Sequence, residues 1–129
     1  MIEPMELDIL GTKYGLVIVN PEEDKYMKET GAAGYTRTIE KKIVIADADH
    51  LKSCEKLTRE EKEKVEKETT RHEIIHAFLR ESGLDGNTSV PDCGWARNEE
   101  MVDYFAIQMP KMVKVFKEAG CLDEEGAEA

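Results

Sequence analysis

Long hydrophobic runs are missing from this 129-residue chain. Its longest aliphatic stretch, LVIV at residues 16–19, is far short of the roughly 20 residues that cross a bilayer. Basic residues are in deficit: 18 Lys and Arg stand against 28 Asp and Glu, a formal charge of −10. Affinity for nucleic acid rests on neutralising phosphates, and adhesion to anionic lipid rests on basic clusters. Neither nucleic acid nor membrane is therefore expected as a partner. Cysteine is sparse: Cys54, Cys93 and Cys121 are odd in number and form no CxxC pair. That argues against a disulfide framework and for a reducing, cytoplasmic setting. The first ten residues, MIEPMELDIL, carry no basic stretch ahead of an apolar one, so no secretory signal is visible. Histidine is as rare, with only His50, His72 and His76.

What is present is enough for one small domain. Hydrophobic residues make up 40 % of the chain, and a chain this long buries about two thirds of its unfolded surface. One domain over residues 1–120 is expected, followed by an acidic, frayed tail over residues 121–129. Residues 1–50 read as β-rich. LVIV is a short strand stopped by Asn20-Pro21, and residues 22–29 are a polar loop. Residues 35–39 and 43–46 carry β-branched and aromatic side chains around Glu40-Lys41-Lys42, the pattern of a hairpin or meander with a charged edge.

Residues 58–83 read as one long helix. Thr58 and Glu61 form a capping-box pair, Glu60/Lys64 and Glu63/Lys67 are favourable i,i+4 pairs, and Gly83 is a C-terminal stop. The first half, EEKEKVEKE, reads as a solvated face, whereas IIHAFL at residues 74–79 is apolar nearly all round. The helix thus starts in water and ends in the core. GLDGNTSVPDCG, residues 83–94, is a loop. A second helix starts near Trp95 to Asn98 and runs to about Met109, where Pro110 should kink or end it. Residues 111–119 read as a further amphipathic helix stopped by Gly120. Met101, Val102, Phe105, Ile107, Met112 and Phe116 are expected core residues, and Trp95 is expected to pack.

The chemistry is concentrated in His72-Glu73-Ile74-Ile75-His76, an HExxH sequence on the long helix. Residues four apart on a helix lie on one face, one above the other. Both imidazoles can therefore reach one Zn²⁺, with nitrogens about 2.0–2.1 Å from it. Glu73 lies about 100° around the helix from His72, beside the ion rather than on it, where a carboxylate can take a proton from water. Chance occurrence of HExxH at this composition is below roughly one in a hundred.

A catalytic zinc keeps three protein ligands and one open position. Leu79 and Ser82 stand where HExxHxxGxxH would continue, so the third ligand comes from elsewhere. The candidates are His50, Asp92, Cys93, Glu99, Glu100 and Asp103. On the second helix Glu99 and Asp103 are i and i+4, on one face. One can ligate while the other holds the spare N–H of a ligating histidine. Glu100 lies about 100° off that face.

HEIIH followed by NEEMVD resembles the gluzincin zinc peptidases, in which a glutamate on a later helix completes the site and an aspartate follows four residues on. Asn98, Glu99 and Asp103 match that pattern. The run from Glu99 through Asp103-Tyr104-Phe105-Ala106 to Met109-Pro110 is also similar to the ImmA/IrrE-like peptidases of phages and mobile elements and to minigluzincins, with a slightly shorter gap before Met-Pro. The match covers roughly residues 71–110. It implies ligands His72, His76 and Glu99, Glu73 as base, Asp103 as the partner of His72, and zinc as cofactor. It also implies an α+β, zincin-like fold: a small N-terminal β-sheet packed on the HExxH helix, then a glutamate helix and a C-terminal helix. Larger gluzincins add a subdomain that supplies a His or Tyr to the oxyanion. Too few residues follow Pro110 to build one, and the role does not map onto Tyr35, His50, Arg97 or Tyr104. Cys93, six residues before Glu99, is a thiolate that could occupy the fourth zinc position.

The leading expectation is a zinc metallopeptidase acting on a peptide or protein substrate, held as an added strand against one of the two hairpin strands. A zinc-binding regulatory or interaction module without turnover is the second reading. A structural protein with a fortuitous HExxH is the third.

Overall fold

The N-terminal half forms a four-stranded mixed sheet, and the three helices that follow or interrupt it make the fold α+β. The computed structural model describes residues 3–84 and 95–122. Strands β1 (Met5–Ile9), β2 (Thr12–Val19), β3 (Gly34–Arg37) and β4 (Lys42–Ala46) lie in the order β1-β2-β4-β3. The outer pairs β1–β2 and β3–β4 are antiparallel, and the central pair β2–β4 is parallel. The β1–β2 turn is made by two successive left-handed residues, Leu10 (φ 51°) and Gly11 (φ 90°). Such a pair matches the twist of a two-residue hairpin, and the Asp8 carboxylate accepts the Gly11 N–H at 2.7 Å.

The segment expected as a polar loop, residues 22–29, is largely helical. A 3-10 turn (Pro21–Glu23) leads into helix α1 (Lys25–Thr30). The Asn20 and Asp24 side chains cap the two starts by accepting the N–H groups of Glu22 and Met27, and left-handed Gly31 ends α1. Polar composition hid this, because caps and one buried anchor, Met27, suffice for a helix this short. The hairpin is present, but β3 stops at Arg37 rather than at residue 39. Ile39 stands in the turn and is exposed, and Lys41 takes a left-handed φ of 58°.

Helix α2 (Arg59–Glu81) carries the expected capping box: the Thr58 hydroxyl accepts the Glu61 N–H and the Glu61 carboxylate accepts the Thr58 N–H. It packs on the sheet face formed by Ile9, Tyr14, Leu16, Ile43 and Ile45, through Ile74 and Ala77. The opposite face is covered by Met27, Ala48, Leu51 and Cys54. With both faces covered, β4 is apolar and buried at every position from Ile43 to Ala46 rather than alternating. The polar first half of α2 is not wholly solvated. Glu66 is buried, and its carboxylate accepts the Ala48 N–H at 2.9 Å and an Arg59 N–H at 2.8 Å. Phe78, expected in the core, is exposed.

Of the kink or end expected at Pro110, the end is absent, and with it the separate C-terminal helix. After a 3-10 turn (Trp95–Arg97), helix α3 runs unbroken from Glu99 to Glu118 with Pro110 inside it. Proline removes the N–H that would bond the carbonyl four residues back, here that of Ala106. That carbonyl instead accepts the Arg71 Nε–H at 2.6 Å. Pro110 itself is exposed. Of the expected core residues on α3, Val102 is buried, Met101, Phe105 and Met112 are half-buried, and Ile107 and Phe116 are exposed. Every residue from 114 to 120 is exposed, so the C-terminal turns have no core to face. Cys54 and Cys121 are free thiols. Among the described residues no helix is long and apolar enough to cross a membrane. Most of the expected loop (residues 85–94, with Asp92 and Cys93), the side chain of Trp95 and tail residues 123–129 lie outside the described residues.

Candidate metal centre

Three side chains from two helices meet at one point. On α2, His72 and His76 are one turn apart, and their Nε2 atoms stand 3.1 Å from each other. On α3, Glu99 occupies the first helical position because Asn98 caps the helix, its side-chain oxygen accepting the Met101 N–H at 2.8 Å. Glu99 Oε1 lies 3.1 Å from each of the two imidazole Nε2 atoms. A tetrahedral ion with bonds of about 2.0–2.1 Å separates its ligand atoms by about 3.3 Å, so the triangle is close to the spacing an ion imposes.

The protons point the same way. Asp103, one turn after Glu99, lies with its carboxylate oxygen 2.8 Å from His72 Nδ1. A carboxylate only accepts, so an N–H of His72 sits on Nδ1, and with Nε2 unprotonated the ring presents that lone pair to the triangle. That lone pair then faces a carboxylate oxygen at 3.1 Å. Two electron-rich atoms at that distance repel unless a proton or a metal ion lies between them. The His72, His76 and Glu99 group could hold a metal ion.

Glu73 stands beside this group. Its Oε2 is 4.0 Å from His72 Nε2, and the residue is only 6 % exposed. Burial raises its pKa above the usual carboxylate range. The hydrogen bond from Thr36 and the two neighbouring imidazoles oppose that rise, and the Glu99 charge adds to it. Thr36 was not anticipated. Its hydroxyl donates to Glu73 Oε1 at 2.7 Å and lies 3.1 Å from the Glu73 carbonyl oxygen. Strand alternation places Gly34 and Thr36 on the face of β3 that looks at α2, since their partners Ile45 and Ile43 belong to the core against that helix. Gly34 permits the close approach: a Cβ there would lie 2.7 Å from Thr69 Cγ2 and 3.3 Å from Glu73 Cγ.

The group opens into a cleft of about 660 Å³ lined by residues including Thr36, Thr38, Arg80 and Arg97. One wall is β3, one of the two edge strands of the sheet. Of the other residues weighed from sequence, Glu100 is exposed and outside the cluster. His50 is remote from it, 3.6 Å from Glu22. Tyr104 is exposed with its ring against Phe105. Tyr35 borders the cleft, but its hydroxyl donates to Asp24 at 2.7 Å, and burial and that bond raise its pKa. Asp92 and Cys93 lie outside the described residues, so the proposed thiolate contact does too.

No family model, curated protein or solved structure matches the chain.

Proposed function

We propose that the protein is a zinc-dependent metallopeptidase of the small, phage-type gluzincin kind, with a zincin-like arrangement of sheet and helices. The observation that carries this is the convergence of His72, His76 and Glu99 beside a buried, hydrogen-bonded Glu73 at the foot of an open strand edge. His72, His76 and Glu99 would hold Zn²⁺, with Asp103 fixing the ring of His72. Bound there, zinc supplies Lewis acidity, which acidifies water and polarises the scissile carbonyl. Glu73 takes the proton from the attacking water and returns it to the leaving amine. Its raised pKa suits a group that must both accept and release a proton. A peptide backbone lies along β3. Ala33 offers its carbonyl inward to the Ala46 N–H, so alternation turns the backbone groups of Gly34 and Thr36 to the outer edge. An extended substrate pairs there as a fifth strand.

The test is zinc stoichiometry and peptide cleavage on the same preparations. Wild type should hold one zinc per chain and cleave. Glu73→Gln should keep zinc and lose cleavage. Glu99→Ala should lose zinc, and Glu100→Ala should not. Cleavage retained by Glu73→Gln would remove the proposed base, and zinc retained by Glu99→Ala would remove the third ligand. One observation favours the second reading, a zinc-binding regulatory module without turnover: the Tyr35 hydroxyl is held by Asp24 rather than turned to an oxyanion. Full zinc loading with no cleavage across a broad peptide library would decide for that reading.

A further inference from the structure

The third ligand rides on a helix whose backbone is incomplete, and the residue that completes it is next to the histidine motif. Pro110 leaves the Ala106 carbonyl without its helical donor, and Ala106 is 1 % exposed. A buried carbonyl in that state needs a partner from outside the helix. Arg71 of α2 supplies it at 2.6 Å. Along α3 the contacts to α2 then run in order. Glu99 meets His76 and His72, Asp103 meets His72, and Ala106 meets Arg71. Each step down α3 reaches an equal or earlier residue of α2, so the three contacts together fix how far one helix is displaced along the other. A slip of α3 by one residue would move Glu99 by about 1.5 Å and swing it by about 100°, off the triangle.

The three contacts differ in kind. Those of Glu99 and Asp103 involve the ligand set itself. The third joins the Arg71 guanidinium to a backbone carbonyl and involves neither a candidate ligand nor its partner. We propose that Arg71 is a positioning residue for the metal centre: its bond to the carbonyl orphaned by Pro110 sets the register of α3 before an ion arrives. This rests on the metal reading above. It adds a residue that touches neither metal nor substrate.

The experiment uses the full chain, with zinc affinity by competition against a chromophoric chelator and stability by urea denaturation of the metal-free protein. Arg71→Met keeps the aliphatic stem and removes the donor. Pro110→Ala restores an N–H for the Ala106 carbonyl within α3. Arg71→Met should weaken zinc binding by about tenfold or more, the scale found for residues that orient ligands, and should lower the urea midpoint. Pro110→Ala alone should weaken zinc by less than about tenfold, because the Arg71 bond remains while the restored N–H relaxes the register. In the double variant the midpoint should recover while zinc stays about tenfold weaker, because the carbonyl is satisfied but the tie to α2 is gone. Wild-type zinc affinity in Arg71→Met overturns the inference. So does recovery of affinity together with stability in the double variant, which would make Arg71 a helix stabiliser only. Absence of zinc binding by the wild type overturns the metal reading and this inference with it, whereas the first two results leave that reading standing.

Discussion

Replacing Gly34 by alanine isolates the contact that brings the edge strand onto the candidate base. Gly34 carries no positive φ, so the backbone itself tolerates alanine. The smaller unfolded ensemble would then stabilise the protein by about 0.4–1 kcal/mol. Against this, the new Cβ would lie 2.7 Å from Thr69 Cγ2, 3.2 Å from the Val44 carbonyl oxygen and 3.3 Å from Glu73 Cγ. The first distance is well inside van der Waals contact, and the obstructing methyl belongs to a β-branched residue that is stiff on a helix. The second obstacle is the backbone of the neighbouring strand. Neither yields freely, and overpacking of this kind costs about 1–3 kcal/mol. The clash therefore wins. The net loss is about 1–2 kcal/mol, or roughly 4–8 °C in Tm for a domain of this length. Differential scanning calorimetry of Gly34→Ala, Thr69→Ser and the double variant checks the cause. Thr69→Ser deletes the offending methyl, so the two changes should couple by about 1 kcal/mol. A Tm raised by Gly34→Ala, or strict additivity in the cycle, would refute the packing argument. Because Thr36 is two residues along the same face, the proposed peptidase activity would also slow in Gly34→Ala while zinc content stays whole.

Glu66→Ala should destabilise by about 3 kcal/mol in urea denaturation, because it leaves the buried Ala48 N–H without an acceptor and breaks the pair with Arg59. Asp103→Ala should weaken zinc by about 10–100-fold without removing it, whereas Glu99→Ala removes it. Chelator competition separates the two. Glu81 accepts hydrogen bonds from Lys41 at 2.8 Å and from Tyr14 at 2.7 Å, and Lys41 is the main cause that lowers its pKa from 4.5 to about 2. A depressed folded-state pKa means the unfolded chain binds the proton first as pH falls. Glu81 therefore contributes stability that is whole above about pH 4.5 and is lost toward pH 2. In urea midpoints taken from pH 6 to pH 2.5, Lys41→Met should flatten that part of the profile, and an unchanged slope would assign the acid sensitivity to other carboxylates.

Much of this site was legible in the sequence because its signals are local. HExxH on a helix needs only the 100° step to place two imidazoles together, and Asn98 with Glu99 reads as a cap followed by a first-turn acid. The geometry brings together the three residues that the family resemblance implied. Thr36 and Arg71 were not legible. Each acts across a distance of more than 30 residues, and neither bears a spacing that marks it. Alternation on β3 could have put Gly34 and Thr36 on one face, but not on the face that meets Glu73. In the fold, the capping box and the hairpin were readable. Helix α1 was missed because its caps and single buried methionine sit in a polar stretch. The helix end at Pro110, one of the two outcomes expected there, is absent for a sharper reason: a proline rule counts donors within one helix, and here the missing donor comes from another.

That exchange bears on how the site is assembled. The two histidines belong to α2, which is secured by its capping box and by the sheet core. Glu99 belongs to α3, whose C-terminal turns are exposed and whose buried residues, Val102 and Ala106, all lie within two turns of the ligand. The core thus holds two of the three candidate ligands firmly, and the third hangs on a short seam in which one carbonyl is satisfied only if the helices are in register. A helix with a full hydrogen-bond ladder could slide along α2 without losing a backbone bond. One interrupted at Pro110 cannot, because any slip strands the Ala106 carbonyl in an apolar setting. The proline thereby converts a backbone defect into a register constraint, and it places that constraint two turns from Glu99, the third member of the candidate metal group.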